Sequence, residues 1–420
     1  MNSTSAILSV CYLASLIGYS SNAATSTNDP VYKAVEANRA DAIELLKTLV
    51  NIDSGSEDVE GAKRIQKILA ENLTASGGEL RYEPAEAPNL APNLVAVFKG
   101  TGTSRILIIA HIDTVFGLGD AAKRPFTVEG TRATGPGVGD EKAGVVNAVM
   151  ALKILHDLRF NKYGSITLLL DGSEELASPG STELIKKLAR QNDVEFNMEP
   201  GDPPDAITVW RKGGGQISID VKGRASHAGM EPQNGRNAAV ELIHQLANVE
   251  NEFPHSGNGV TVNLTVVRAG DRTNVIPDAA EAILDVRYRD LKDFDGILHK
   301  IQTGLVPPIV PDTTTTVKVY GPAYPPLTEN RQIDGLASRA QSIYAELGKT
   351  LAVSGNGGGS ESAIAMTEGT PSLDGLGYVG SGFHTDHEWI DLSSVAPRLY
   401  LFTRLLEETS VAPSVKSRSD

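Results

Sequence analysis

One apolar run restricts the possible folds of this 420-residue chain more than any other feature. The run RILIIA occupies residues 105–110 and contains no polar residue after its arginine. An apolar run without alternation is typical of a strand buried on both faces of a sheet. A helical pattern at residues 142–158 and a second apolar run, SITLLL at residues 165–170, follow it. Strands that alternate with helices in this way predict an α/β fold.

The same alternation extends over both ends of the chain. Apolar residues recur at helical spacing in four further segments, residues 31–50, 61–76, 182–191 and 330–347. Short β-type runs at residues 93–98 and 194–198 predict two further strands. We therefore expect the α/β architecture to include residues on both sides of the middle of the chain.

The pattern changes after the segment WRKGGG at residues 210–215. The predicted order is then strand 216–222, helix 237–250, strands 260–267 and 281–288, helix 291–303 and strand 314–319. This β-α-β-β-α-β order is that of a ferredoxin-like unit, whose antiparallel sheet is half exposed. We expect an α/β domain in two parts, residues 24–211 and 325–413, interrupted by an inserted α+β unit at residues 212–324. Residues 414–420 are expected to be a tail.

The N-terminal segment differs in composition from the rest. Its apolar run AILSVCYLASLI, followed by small residues before residue 24, predicts a signal peptide at residues 1–23 and a secreted or periplasmic protein. Because no lysine or arginine precedes the run, an unstructured start is the alternative. The run is too short to span a bilayer. It contains Cys11, the only cysteine, so the mature chain would hold any metal through histidine, aspartate and glutamate.

The charge balance argues against two classes of partner. The chain has 52 acidic residues against 38 lysines and arginines, which gives a formal net charge of −14. No basic stripe offsets this charge, which repels phosphate backbones and anionic lipid surfaces. We therefore expect neither a nucleic-acid partner nor a membrane partner.

Polar residues that could bind a metal ion or take part in catalysis follow the first buried strand. His111 and Asp113 come where RILIIA ends and are separated by one residue. In an extended segment they lie on the same side, so Asp113 can accept a hydrogen bond from the ring nitrogen that does not face a metal. Alone the pattern is weak, and a packed or solvent-facing histidine is the alternative.

A glycine-rich segment, GPGVGDEK at residues 135–142, leads into the helix at residues 142–158. Its glycines indicate unusual backbone angles or the close approach of another group. Asp140 could simply cap the helix, although a cap requires no glycines ahead of it. A phosphate-binding loop is excluded because no Gly-Lys-Ser/Thr sequence follows.

Carboxylates and a second histidine mark three further places. Glu174 and Glu175 follow the strand SITLLL, Glu199 follows the strand at residues 194–198, and His384 lies in the segment GFHTD. Strand ends in open α/β sheets are where ligands bind. Neighbouring glutamates point in different directions, so one of the pair could bind a metal while the other moves protons. A solvated helix start is the alternative for that pair.

Taken in order, these motifs resemble a known enzyme family. The set consists of HIDTV at residues 111–115, GPGVGD at 135–140, the pair Glu174 and Glu175, Glu199 with Pro200, ASHAG at 225–229, NVIP at 274–277 and Phe383 with His384. It is similar to the zinc aminoacylase/carboxypeptidase family of glutamate carboxypeptidases, acetylornithine deacetylases and succinyl-diaminopimelate desuccinylases. The resemblance covers residues 30–410. Among members, the chain is most similar to secreted glutamate carboxypeptidases of the folate-cleaving, carboxypeptidase G type.

The resemblance implies a di-zinc exopeptidase-type catalytic domain with two zinc ions per subunit. Asp140 would bridge the two ions. His111 and Glu199 would complete one site, and Glu175 and His384 would complete the other. Nitrogen and oxygen ligands without sulfur suit a catalytic pair that keeps a position open for water.

The resemblance also implies roles around the metals. Glu174 would be the general base and Asp113 would orient a zinc-bound histidine. In the inserted unit, a lid and dimerisation domain, Arg287 and Asn274 would bind the substrate carboxylate, and His227 would stabilise the oxyanion, in the partner's site when the lid closes.

Two features of this set leave alternatives open. Arg287 could instead pair with a neighbouring acid, Asp285 or Asp290, on the surface of the lid. Residues 357–361 read GGGSE where many relatives carry an aspartate at the last position. We assign no role to Glu361.

The leading hypothesis is a homodimeric zinc carboxypeptidase. It would release a C-terminal amino acid, in particular glutamate, from a small N-acyl or short peptidyl substrate with a free carboxylate. An aminoacylase or deacetylase acting on small N-acyl amino acids is the competing enzyme, since the same metal chemistry serves both. A periplasmic binding protein without turnover is the alternative from another class.

Overall fold

The computed structural model describes residues 30–252 and 259–412. The predicted signal peptide and the tail at residues 414–420 lie outside the described residues. In the described part the helices are α1 (Pro30–Val50), α2 (Val59–Ala75), α3 (Asp120–Lys123), α4 (Lys142–Asp157), α5 (Thr182–Gln191), α6 (Ala238–Glu252), α7 (Leu291–Gly304), α8 (Arg331–Glu346), α9 (Glu361–Thr367) and α10 (Val395–Val411). None of these helices has the length and apolar character needed to cross a membrane.

The strands form a large sheet and several smaller ones. They are β1 (Glu79–Glu83), β2 (Asn93–Lys99), β3 (Arg105–His111), β4 (Thr127–Glu129), β5 (Arg132–Thr134), β6 (Ser165–Asp171), β7 (Val194–Asn197), β8 (Ala206–Arg211), β9 (Gly213–Lys222), β10 (Ser226–His227), β11 (Thr261–Ala269), β12 (Val275–Ile276), β13 (Ala279–Tyr288), β14 (Thr314–Tyr324), β15 (Ala352–Asn356), β16 (Ser372–Leu373), β17 (Gly380–Ser381) and β18 (Trp389–Asp391). The large sheet has the order β1-β2-β6-β3-β7-β16. β3 pairs in parallel with β6 and β7, so these three strands end at the same edge.

The apolar run at residues 105–110 lies in β3, near the centre of this sheet. Ile106 and Ile108 face a core shared with α1, α4 and α10, whereas Leu107 and Ile109 face a second core shared with α5 and α9. All four side chains are fully buried. The prediction of an α/β fold around a strand buried on both faces is therefore confirmed.

The inserted segment forms a separate antiparallel sheet. Its strands have the order β11-β13-β9-β14, and every neighbouring pair is antiparallel. The helices α6 and α7 pack against this sheet around a core of its own. In chain order the strands are numbered 1, 2, 3 and 4 and stand as 2-3-1-4, which is the arrangement of a ferredoxin-like β-α-β-β-α-β unit.

Candidate metal centre

Acidic and imidazole side chains gather where three parallel strands end. His111 is the last residue of β3. Glu174 and Glu175 start a 3-10 helix, Glu174–Leu176, directly after β6. Glu199 follows β7, from which it is separated only by Met198. Because carboxyl ends of parallel strands share one edge of a sheet, residues distant in sequence meet there.

Asp140 stands between two histidines and contacts both. Its Oδ1 lies 3.2 Å from His111 Nε2, and its Oδ2 lies 3.2 Å from His384 Nε2. Glu199 Oε1 is 3.7 Å from His111 Nε2, and Glu175 Oε2 is 3.1 Å from His384 Nε2. The five residues thus form two groups that share Asp140, and the potential ligand atoms of each group lie within 4.8 Å of one another. All five predicted ligands are brought together.

Asp113 connects this cluster to the glutamate pair. Its Oδ1 is 3.3 Å from His111 Nδ1, so the Nε2 atom of the ring is left facing the cluster. The same carboxylate accepts hydrogen bonds from the backbone N–H groups of Glu174 and Glu175, each at 3.2 Å. It also accepts a 2.6 Å hydrogen bond from Ser56 Oγ. One buried aspartate therefore contacts both the histidine ring and the backbone that carries the two glutamates.

The glycine-rich segment binds a carboxylate rather than a phosphate. Glu388 accepts hydrogen bonds from the backbone N–H groups of Gly137 at 3.1 Å, Gly139 at 2.7 Å and Asp140 at 2.9 Å. Gly137 has φ of 69°, which favours glycine. Because Glu388 follows His384 by four residues, it joins the two loops that carry Asp140 and His384. Glu388 was not predicted, since nothing local in the sequence relates it to residues about 250 positions earlier.

Two other buried contacts were also missed. Glu141 occupies the N-cap position of α4, so Asp140 does not cap the helix. The Oε2 atom of Glu141 accepts a 2.7 Å hydrogen bond from the backbone N–H of His111. Arg211 donates from Nε and Nη2 to the two oxygens of Asp374, at 2.8 and 2.9 Å, and the same Nη2 lies 3.5 Å from Glu199 Oε2. These contacts hold His111 and Glu199 from behind the cluster.

Burial and mutual repulsion raise the free-energy cost of ionising the carboxyl groups of the cluster. Burial raises the pKa of Glu174 well above its usual range, and the nearby Glu199 and Glu175 add to this effect. Burial also raises the pKa values of Glu175 and Glu199. The hydrogen bonds from His384 to the carboxylates of Asp140 and Glu175 raise its pKa to about 11. A cation placed among these acids would relieve the repulsion.

The donor set fits a divalent metal ion. Among the described residues, the Oε1 atom of Glu175 is buried without a hydrogen-bond partner, although Oε2 of the same side chain faces His384. Imidazole nitrogens and carboxylate oxygens are ligands that zinc accepts in catalytic sites. His384 is 57% exposed, so the second group opens to solvent.

Two predicted lid residues lie together on a small ribbon of the inserted unit. His227 in β10 pairs with Val275 in β12, and the carbonyl of Asn274 accepts a hydrogen bond from the backbone N–H of Ala228 at 2.9 Å. His227 is exposed, and its Nδ1 accepts hydrogen bonds from the backbone N–H groups of Gly229 at 3.2 Å and Met230 at 3.1 Å. Since Nδ1 accepts, Nε2 carries a proton, and no acceptor for it is found among the described residues.

Arg287 shows the neighbouring-acid pairing that was the alternative for it. Its Nε and one terminal nitrogen donate to the two oxygens of Asp285 at 2.9 and 3.0 Å. Within the described residues, no hydrogen bond or ion pair joins Arg287, His227 or Asn274 to the metal-binding cluster. These three side chains are thus brought to the inserted unit and not to the cluster itself.

The fold and the cluster together define a metal-dependent hydrolase built on an α/β sheet. A sequence profile of Peptidase family M20/M25/M40 matches residues 107–408. The chain is 32% identical over 389 residues to carboxypeptidase G2 of Pseudomonas sp., a match that covers 91% of this chain and 92% of that protein. The chain therefore belongs to Peptidase family M20/M25/M40 and is a metallopeptidase.

Other relatives show how widely this architecture is used. The chain is 26% identical to succinyl-diaminopimelate desuccinylase of Gluconobacter oxydans, over 86% of this chain and 96% of that one. An M20 family metallo-carboxypeptidase of Sulfolobus solfataricus superposes with a TM-score of 0.71 and 16% identity, over 88% and 99% of the two chains. Human carnosine dipeptidase 1 gives a TM-score of 0.72 and 15% identity, over 91% and 98%. At 15% and 16% identity, these two structures show that the fold is shared and nothing more.

Proposed function

We propose that this chain is a zinc-dependent carboxypeptidase that hydrolyses the amide bond to a C-terminal amino acid, in particular glutamate. Its substrates are small N-acyl or short peptidyl compounds with a free carboxylate. The observation that carries the proposal is the pair of ligand groups that share Asp140, with Glu174 beside them. The similarity to carboxypeptidase G2 over most of both chains supports the carboxypeptidase assignment.

The proposed ligands are His111, Asp140 and Glu199 for one zinc ion, and Asp140, Glu175 and His384 for the other. When bound, the two ions would acidify a water molecule and polarise the scissile carbonyl. Their charge would also balance the crowded carboxylates of the cluster.

Glu174 is the proposed general base. It takes a proton from the attacking water and later delivers it to the leaving nitrogen of the amide. Its Oε2 lies 4.0 Å from His111 Nε2, so it borders the cluster without being one of the five proposed ligands. Asp113 keeps the His111 ring oriented through the contact to Nδ1.

Substrate recognition is assigned to the inserted unit. Arg287 grips the free carboxylate of the substrate with its planar fork, after exchanging Asp285 for it, and Asn274 donates to the same group. His227 donates from Nε2 to the oxygen that becomes negative during attack. Because His227 is exposed and makes no contact with the cluster of its own chain in the described residues, we assign it to the site of a partner subunit.

A homodimer accounts for the exposed surface of the inserted unit. β11 is one of the two edge strands of its sheet, and the apolar residues Leu264 and Val267 on this strand are exposed, as is Ile243 on α6. An uncovered edge strand with apolar side chains is suited to pairing with a second copy. Solution scattering at several concentrations tests this assignment, and a fully active monomer would contradict it.

We also propose that residues 1–23 are an export signal, which makes the enzyme secreted or periplasmic. The support is the apolar run at residues 6–17 followed by small residues. N-terminal sequencing of exported protein tests the cleavage point.

A deacylase acting on small N-acyl amino acids is the second candidate function. The 26% identity to a succinyl-diaminopimelate desuccinylase over 86% of the chain favours it. A panel of zinc-loaded reactions, with acyl group and released amino acid varied separately, distinguishes the two. Preference for the released amino acid supports the carboxypeptidase, and preference for the acyl group supports the deacylase. A protein that binds but turns over none of the compounds would be a binding protein.

The division of labour between the two glutamates provides the test of the chemistry. Glu174→Gln should keep zinc and lose activity by about 100-fold or more, as expected for a general base. Glu175→Gln is the matched control and should lose zinc from one site. Equal zinc loss in both variants, or full activity after complete metal removal, would overturn the proposal.

A further inference from the structure

Tyr324 links the inserted unit to the metal centre. It is the last residue of β14, where the chain leaves the inserted sheet, and its backbone carbonyl accepts a 2.7 Å hydrogen bond from the hydroxyl of Tyr288 in β13. Its side chain points the other way, into the α/β domain, and is buried. There its hydroxyl lies 3.1 Å from Glu174 Oε1 and 3.2 Å from the carbonyl oxygen of Glu174.

The tyrosine hydroxyl is itself held from behind. It lies 2.6 Å from Ser178 Oγ, which donates a 2.9 Å hydrogen bond to Glu361 Oε1. Glu361 is buried beside the carboxyl group of Asp171. A Cβ atom at residue 359 would lie only 3.0 Å from the ring of Tyr324, so Gly359 leaves the space that the ring occupies. The segment GGGSE thus supports Tyr324, with Gly359 beside the ring and Glu361 bound to the serine that contacts the hydroxyl.

Tyr324 acts as a hydrogen-bond donor, not an acceptor, toward the carboxylate of Glu174. Burial, with the carboxyl groups of Glu174 and Glu361 nearby, raises the pKa of Tyr324 well above its usual range, so the phenol keeps its proton. Its one proton can go to Ser178 Oγ, to the backbone carbonyl oxygen of Glu174 or to Glu174 Oε1. An ionised carboxylate is the stronger acceptor, so the proton is directed to Glu174 when that residue is ready to act as a base.

This hydrogen bond decides which oxygen of Glu174 faces the two ligand groups. Oε1 is occupied by Tyr324, whereas Oε2 is the oxygen that lies 4.0 Å from His111 Nε2. We propose that Tyr324 is a positioning residue for Glu174, which fixes Oε1 so that Oε2 is presented to the attacking water. The inference rests on the proposed role of Glu174 as general base. Because the backbone of Tyr324 is attached to the inserted unit, the same contact couples the position of that unit to the base.

The first test is Tyr324→Phe, which removes the hydroxyl and keeps the ring. We expect kcat to fall by about 10- to 100-fold, since loss of a supporting contact or a small misplacement of a reacting group has effects of this size. KM and zinc content should stay within about twofold of the parent enzyme.

Tyr378→Phe is the matched control. Tyr378 is also fully buried, and among the described residues its hydroxyl has no hydrogen-bond partner. Its kinetic constants should be unchanged. A second pair tests the support behind the tyrosine: Glu361→Gln keeps an oxygen for Ser178 and should retain most activity, whereas Glu361→Ala should lower kcat with KM and zinc content preserved.

The decisive test repeats Tyr324→Phe in a Glu174→Gln background. If Tyr324 acts through Glu174, the second substitution should change the residual kcat by less than about twofold, because groups that act as a unit are not additive. An equal loss in both backgrounds, or Tyr324→Phe with unaltered kcat, would refute the positioning role. If instead Glu174→Gln alone keeps full activity, the proposed function fails, and this outcome is distinct from both.

Discussion

Replacement of Glu388 by glutamine tests how the two loops of the metal centre are held together. In the parent protein, Oε1 accepts from Gly139 and Asp140 and Oε2 accepts from Gly137. The amide of Glu388→Gln has one acceptor oxygen, so its NH2 group must face a backbone N–H. One buried donor is left unsatisfied and two ionic hydrogen bonds become neutral, as they do when the parent glutamate is protonated.

In the metal-free protein the cost of burying the charge of Glu388 outweighs these hydrogen bonds. Burial raises the pKa of Glu388 from 4.5 to about 7, so at pH 8 the buried charge costs about 3 kcal/mol relative to water. Since the folded-state pKa is raised, this cost is absent below pH 4.5 and develops as the pH rises through 7. Glutamine carries no charge and avoids it. Because the raised pKa already includes the three hydrogen bonds, Glu388→Gln should stabilise the metal-free protein at pH 8 by up to about 3 kcal/mol and raise its melting temperature, and it should leave the stability unchanged below pH 4.5.

Zinc affinity should respond quite differently. Glu388 joins the loop of Asp140 to the loop of His384, and loss of an outer support of metal ligands lowers affinity by about 10- to 100-fold. Competition with a chelator of known affinity measures this change, with thermal melts of the metal-free proteins beside it. Glu195→Gln, a buried glutamate of β7 outside both ligand groups, is the control and should bind zinc normally. Unaltered zinc affinity in Glu388→Gln would refute the reasoning.

Two further predictions concern protons and the substrate carboxylate. In the metal-free protein the pKa of His384 is about 11, so its charged contacts contribute fully below pH 6.5 and are lost as the pH rises through 11. A metal ligand must be neutral, so zinc binding at pH 7.5 should release this proton, and calorimetric heats that do not depend on the ionisation enthalpy of the buffer would contradict this. Arg287→Ala should raise KM by about 10- to 100-fold for substrates with a free carboxylate, the value of a charged hydrogen bond, and spare their amidated analogues. Equal effects on both kinds of substrate would show that Arg287 only pairs with Asp285.

The sequence by itself determined the architecture and most of the candidate ligands. The pattern of apolar residues is local, so β3 could be identified as a strand buried on both faces. The helices predicted from the spacing of apolar residues begin and end within two residues of those observed. Parallel strands end at a common edge, so strand-end residues such as His111 and Glu199 could be expected to meet. His384 follows no long strand, and only the resemblance to a known family associated it with them.

Only the tertiary structure decided what stands behind those ligands. The contact between Glu388 and the glycine loop joins residues about 250 positions apart, and the contact between Tyr324 and Glu174 spans 150 positions. Neither contact leaves a periodic pattern or a fixed spacing in the sequence. Each depends on how two distant elements pack and on the direction of one side chain. The pairing of Arg287 is local, because an extended strand puts residues two apart on one face, and the structure decided only that Asp285 rather than Asp290 is the partner.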